Sequence, residues 1–194
     1  MVRSFTLRLR VWRNRIALRW LFLDKGHLAF VAMLAAPILV LGSIVHLAYT
    51  DQRRARLAAA EQRAMDLRCL AENVYFEARG ESVQGQYAVA EVTLNRVRSP
   101  DFPDTVCEVV HDTRWDRLRR RLTAHFSWTR LAVKQDAPQG PAWDQATVVA
   151  TAVYDRTHTP VVPTALFYHT TDVRPYWADS KQVVAKIGRH VFYR

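Results

Sequence analysis

The sequence predicts a mainly helical α+β domain preceded by one N-terminal transmembrane helix. Three observations carry this expectation. Gly26 to Thr50 contains no charged residue, helical periodicity recurs between residues 67 and 156, and short β-branched and aromatic segments gather in the last third. At 194 residues the chain offers about one domain and an appendage. Helices first and a few strands last define α+β rather than an alternating α/β pattern.

The apolar run "HLAFVAMLAAPILVLGSIVHLAYT" covers 27–50. Twenty-odd helical residues at about 1.5 Å each span a hydrocarbon core of roughly 30 Å. Pro37 is tolerable in such a helix, where neighbouring groups resatisfy the freed carbonyl. Length and a basic flank argue against a buried core helix, and a long n-region with no clean A-x-A site argues against a cleaved signal peptide. Seven Lys/Arg precede the span and five follow it in 51–68, which favours an N-terminus inside the cytoplasm. Residues 1–26 then form a basic cytoplasmic segment, in which "RVWRNRIALRWLFL" suits the inner leaflet. The expectation is a single-pass protein of the cytoplasmic membrane whose remaining chain is extracytoplasmic.

A net charge of +10 first suggests a nucleic-acid partner. Residues 69–194, however, hold sixteen Lys/Arg against fourteen Asp/Glu. The basicity belongs to the N-terminal part, so no nucleic-acid partner is expected. The cysteines are Cys69 and Cys107 alone. An oxidising compartment permits a disulfide between them, and two free buried thiols are the other reading. The histidines are scattered without ligand spacing, so neither a metal site nor a cofactor is expected.

Residues 51–66, rich in Ala, Arg and Gln without Pro or Gly, read as a helical stalk. Asp66 is placed to cap a new helix, "LRCLAENVYFEAR", that opens the domain of residues 67–194. Leu67, Leu70, Ala71, Val74 and Ala78 form its buried stripe. Glu77 falls about 70° from the centre of that stripe, at the shoulder of the core, while Glu72 faces solvent. Desolvation and the negative end of the helix dipole both disfavour ionised Glu77, which suits a general acid. A salt bridge at the rim with Arg79 or another base is the competing reading, and the helix alone does not decide.

A second helix follows over Gln84–Val97, then a short one in "TVCEVVHD". "TRWDRLRRRL" reads as a solvated basic helix or loop, whose Arg119, Arg120 and Arg121 are either an exposed charge run or a contact for an anionic polymer. Trp143–Arg156 is a well-patterned helix. "ALFYHT" and "IGRHVFYR" suggest a small C-terminal β-hairpin or paired strands.

"CLAENVYFEARGESVQGQYAVAEVTLNRVRSPDFPDTVCEVV", "HFSW", "ALFYHT" and "IGRHVFYR", in this order, resemble the cell wall hydrolases of the SleB/CwlJ type, the spore cortex-lytic enzyme family. The resemblance covers Cys69 to Arg194. It implies a lysozyme-like fold acting on the glycan strands of peptidoglycan, chiefly as a lytic transglycosylase between N-acetylmuramic acid and N-acetylglucosamine. It makes Glu77 the catalytic acid, with Glu81 and Arg79 as helpers or positioning groups. Tyr75, Trp128, Tyr168 and Trp177 become candidates for stacking on sugars, and Asn95, Ser127, Tyr168 and His190 candidates for the groove. A hydrolytic muramidase or glucosaminidase, and a glycan-binding protein without activity, are the alternatives. His125 stands where the family block carries glutamine, and the block's D-G is lost or displaced toward Asp136.

Overall fold

The computed structural model describes residues 25–116, 120–130 and 139–194. The basic segment before Lys25 with its amphipathic stretch, Arg119 and Asp136 lie outside these residues. The chain divides into two compact units, Met1–Ala58 and Ala59–Arg194, each described by itself.

In the first unit the described residues belong to helix α1 (Lys25–Ala78). Phe30, Leu34, Ile38, Leu41 and Val45 are exposed, so no described residue covers this face. By length and composition the helix is able to cross a membrane. Pro37 lies inside it. Ser43 and Thr50 donate their hydroxyls to the carbonyls of Leu39 and Leu47 at 2.8 Å, which satisfies both groups without water.

The second unit is mainly helical with small sheets. Its elements are the last turns of α1, then α2 (Val83–Val97), α3 (Val106–His111), β1 (Thr113–Asp116), β2 (Arg121–Ala124), a 3-10 turn at Ser127–Arg130, α4 (Pro141–Tyr154), β3 (Phe167–Thr170), β4 (Val183–Ile187) and β5 (His190–Tyr193). Helix α2 is buried on nearly every face, which makes it the centre of the core. Its Ala90 and Leu94 pack with Leu70, Val74, Val110 and Val149. Its Ala88, Val89 and Val92 pack with Ala78, Val162 and Phe192. Each fully buried Leu, Val or Phe side chain stabilises the fold by about 1.5–3 kcal/mol. Tyr168 packs against both clusters, where the sheet meets the helices.

Local chemistry sets the helix ends. Ser82 accepts the Gly85 N–H into α2. Thr105 accepts the Glu108 N–H and donates its hydroxyl back to that carboxylate, a reciprocal cap. Gly140, at φ +82°, hands the chain to Pro141 at the start of α4.

Two expectations need correction. Asp66 caps nothing: it is buried within unbroken α1, accepting from Gln62 Nε2 at 3.0 Å and the Tyr154 hydroxyl at 3.2 Å. With neither Gly nor Pro in residues 51–66 the helix never ends there, so no orphan N–H needs a cap. The two C-terminal segments pair as expected, the "FYHT" strand with β5 from Phe167↔Tyr193 to Thr170↔His190, and β4 extends them to a three-stranded antiparallel sheet of order β3–β5–β4. In the basic stretch after α3, Thr113–Asp116 and Arg121–Ala124 are strands instead of helix: β1 and β2 pair antiparallel, setting Trp115 opposite Leu122. That aromatic–aliphatic cross-strand pair favours the sheet over the helical reading its charges suggested.

Cys69 and Cys107 form a disulfide joining α1 to α3, closing a separation of 38 residues. A loop of that size restricts the unfolded chain by about 3–4 kcal/mol in the chain-entropy account. Cys107→Ser is therefore expected to lower the melting temperature by roughly 10 °C in calorimetry. An unchanged melting temperature would show that the bond adds nothing to stability.

Candidate active site

Glu77 lies in the last turn of α1, beside the fully buried Ala78. The Tyr168 hydroxyl, brought over on β3, donates to Glu77 Oε2 at 3.2 Å. Burial raises the Glu77 pKa above the ordinary 4.5, while the Tyr168 hydrogen bond and the charge of Arg96 act in the opposite sense. Burial is the larger effect, so the carboxyl leans toward its neutral form. Arg79 does not neutralise it. Its guanidinium sits 5.0 Å over the Tyr75 ring instead, and Tyr75 packs edge-on against Phe76 and Trp143. The rim ion pair of this helix belongs to Glu72, which takes Arg68 at 3.0 Å and is half-buried rather than free in solvent.

Arg96 of α2, in sequence no more than a polar group at the end of a helix, completes the surroundings of Glu77. It is only 5% exposed. Its Nε donates to the Leu166 carbonyl at 2.8 Å, and its guanidinium lies 5.1–5.2 Å from the rings of Phe126 and Phe102. Burial pushes its pKa down to about 10, so it remains a cation at neutral pH.

Tyr168 and Arg96 also line a cleft of about 470 Å³ together with Arg114, Trp115, Trp177 and Lys181. The cleft therefore adjoins the two groups that act on Glu77. His125 and the 70%-exposed Tyr176 lie on it too. Burial, then the charge of Arg96, push His125 down to about 4, so at neutral pH it is an uncharged imidazole. Trp177, a candidate for stacking on sugars, lines this cleft. Trp115, Arg114 and Lys181 had no motif to announce them, because hairpin β1–β2 and the turn before β4 bring them there.

The remaining candidates lie elsewhere. Trp128 is a core residue rather than a platform: it stacks on Phe76 at 4.6 Å and donates Nε1–H to Asn73 Oδ1 at 3.0 Å. Asn73 in turn donates to the Thr93 hydroxyl, so this buried chain of polar groups is satisfied. Ser127 is exposed at the start of the 3-10 turn. His190 is buried, edge-on to Tyr168 at 5.3 Å. Asn95 donates to the carbonyls of Val162 and Ala165 at 3.0 Å and lines a different cavity, with Arg98 and Arg156. Arg98 lies about 200° round α2 from Arg96, on the opposite face.

Glu81 clamps the β4–β5 turn. It accepts Arg189 Nε at 2.8 Å and the Arg189 backbone N–H at 3.2 Å. Gly188 occupies φ +55°, a conformation that favours glycine, and a Cβ there would have to displace the Glu81 carboxylate. Burial alone would raise the Glu81 pKa, but the two Arg189 hydrogen bonds and the charges of His190 and Arg189 together bring it below 4.5. Among the described residues no cluster of His, Cys, Asp or Glu is arranged to hold a metal ion.

Fold and site together define a mainly helical domain in which a half-buried acid is tuned by Tyr168 and Arg96, two residues that also line an aromatic and cationic cleft. The sequence profile described as Cell Wall Hydrolase matches residues 80–193, and the chain belongs to that family. It is 32% identical over 129 residues to the spore cortex-lytic enzyme of Bacillus subtilis, covering 66% of this chain and 37% of that protein. To the spore cortex-lytic enzyme of Bacillus cereus it is 34% identical over 130 residues, covering 66% and 43%. The chain thus matches about two fifths of the length of these curated relatives. Among solved structures, the catalytic domain of the germination-specific lytic transglycosylase SleB from Bacillus anthracis aligns with TM-score 0.53 and 29% identity, over 66% of this chain and 93% of that domain. The family match begins just after Glu77, so the role of that residue rests on its surroundings.

The depressed Glu81 pKa has a definite sign in stability. Its contribution is present above the unfolded carboxylate pKa and is lost as pH falls through the lower folded value. Glu81→Gln is expected to melt below the unmutated protein at pH 7, with the gap closing as the pH falls through and below the ordinary carboxylate range. A gap that stays the same size on acidification would rule out the charged clamp.

Proposed function

We propose that the domain cleaves peptidoglycan glycan strands between N-acetylmuramic acid and N-acetylglucosamine, as a lytic transglycosylase on a lysozyme-like scaffold with Glu77 as its single catalytic acid. The observation that carries this reading is the Glu77 carboxyl: half-buried, hydrogen-bonded by Tyr168 and biased toward its neutral form. Family membership and the similarity to a lytic transglycosylase domain supply the substrate class and the reaction.

Protonated Glu77 gives its proton to the glycosidic oxygen as the bond to muramic acid C1 breaks. The departing sugar leaves with a free hydroxyl. Positive charge develops at C1, and Glu77 is now a carboxylate. It accepts the proton of the muramic acid C6 hydroxyl, whose oxygen attacks C1 and closes a 1,6-anhydro ring. Glu77 ends protonated and no water is consumed. One residue serves first as acid and then as base, so a pKa raised toward neutrality suits both steps. The Tyr168 hydroxyl and the Arg96 charge stabilise the transient carboxylate. Most hydrolytic glycosidases use a second carboxylate. Here the nearby Glu81 is committed to Arg189.

The proposal extends to placement. A basic N-terminus inside, the α1 span through the membrane and the domain outside the cytoplasm agree with the exposed apolar face of α1 and with a disulfide, which persists in oxidising compartments.

Glu77→Gln is expected to reduce lysis of sacculi by about 10²-fold or more in a zymogram or turbidity assay. Lysis at the unmutated rate would remove Glu77 from the chemistry. Mass spectrometry of the products should find 1,6-anhydro ends; reducing ends alone would replace transglycosylation by hydrolysis. Absence of lysis by the unmutated protein would leave glycan binding alone.

Tyr168→Phe removes a hydrogen bond that lowers the Glu77 pKa. The proton-donor form should then persist to higher pH, and the alkaline limb of the kcat profile should move upward. A downward shift, or none, contradicts the role given to Tyr168.

A further inference from the structure

Arg96 lines the cleft, yet it is 5% exposed. Its Nε is taken by the Leu166 carbonyl, whereas no described residue accepts from its Nη1. A buried guanidinium with an unused N–H on a cleft wall is costly unless a ligand completes it. Two further cations line the same cleft, Arg114 and Lys181. Arg114 gives its Nε to Asp112 Oδ2 at 3.1 Å. Lys181 places its ammonium 3.7 Å from the centroid of the Phe167 ring. The carboxylates that act on Arg96 are Asp112 and Glu77. The first serves Arg114, and burial draws the second toward its neutral form. The cleft wall thus carries more positive charge than its own carboxylates balance. Trp115 and Tyr176, 60% and 70% exposed, add open aromatic faces of the kind on which sugar rings stack.

We propose that this cleft is a carboxylate-reading subsite: Arg96, backed by Arg114 and Lys181, binds a carboxylate carried by the muramic acid of the glycan while Trp115 or Tyr176 supports the sugar ring. The inference rests on the glycan reading above and names the substituent that the cleft selects. Chemistry favours a carboxylate over a neutral amide or hydroxyl. An arginine fork with a free N–H makes charge-assisted bonds to a planar anion, and desolvation strengthens them. Two sources present such a group. One is the lactyl carboxylate of muramic acid in glycan stripped of peptide, and the other is a peptide carboxylate in glycan that still carries its stem.

Binding is measured calorimetrically with the full chain in detergent, carrying Glu77→Gln so that no turnover intervenes. The probes are peptide-free glycan oligosaccharides as free acids, the same oligosaccharides as methyl esters, and peptide-bearing oligosaccharides. The free acid is expected to bind about tenfold or more tightly than its ester. Arg114→Ala and Lys181→Ala, each at the rim, should weaken the acid and leave the ester unchanged. If the peptide-bearing glycan binds more tightly than the free acid, the peptide is the carboxylate source; if more weakly, the lactyl group is. Equal binding of acid and ester overturns the subsite while leaving glycan cleavage intact. Failure of every glycan to bind, with no lysis by the unmutated protein, overturns both.

Discussion

The hydrogen bond from Tyr168 to Glu77 joins the end of α1 to strand β3, and the site depends on it. Tyr168 reaches Glu77 because its ring packs against both core clusters, the helical one around Leu70 and Val149 and the one that β5 covers with Phe192. A shift of β3 by one residue would turn Tyr168 to the other face of the sheet. Antiparallel pairing from Phe167↔Tyr193 to Thr170↔His190 prevents that slip. The β4–β5 turn is held in place in turn by Glu81, Arg189 and Gly188 at a positive φ. Glu77 sits on a helix, and Glu81 of the same short motif clamps the turn that leads into β5, the strand on which β3 is registered.

The electrostatics follow from burial more than from pairing. Glu77 and Arg96 influence each other, but neither forms a direct ion pair with the other. Each is displaced by desolvation toward its neutral form, and the Tyr168 hydroxyl moderates the carboxyl. A close salt bridge would hold Glu77 ionised and disable it as a donor. Arg79, the basic residue two positions along, lies on the Tyr75 ring instead of making such a bridge.

Much of the helical framework was legible because its signals are local. The 3.6-residue stripe of "LRCLAENVYFEA" put Glu77 on the shoulder of the core, and the periodicity of α2 and α4 was equally plain. Signals that depend on distant residues were not legible. Arg96 reads as the polar end of a helix until Leu166 and three phenylalanines close over it. Trp128 is indistinguishable in sequence from an exposed sugar platform, and only Asn73, 55 residues away, shows that its indole N–H is satisfied in the core. The charges of "TRWD" and "RLTA" concealed a hairpin whose support is cross-strand. Asp66 has the residue type of a cap, but a cap requires a helix to begin, and α1 runs through that point. Two cysteines left a bond and free thiols equally open until helices α1 and α3 brought them together.

The account turns on the protonation of one carboxyl, which carbon-13 NMR titration of the Glu77 side chain measures directly, with Glu77→Gln providing the assignment. The account predicts a midpoint above 4.5, the ordinary value. A midpoint at or below 4.5 would mean that Glu77 is an ordinary ionised carboxylate, and the proton-donor role would have to be abandoned.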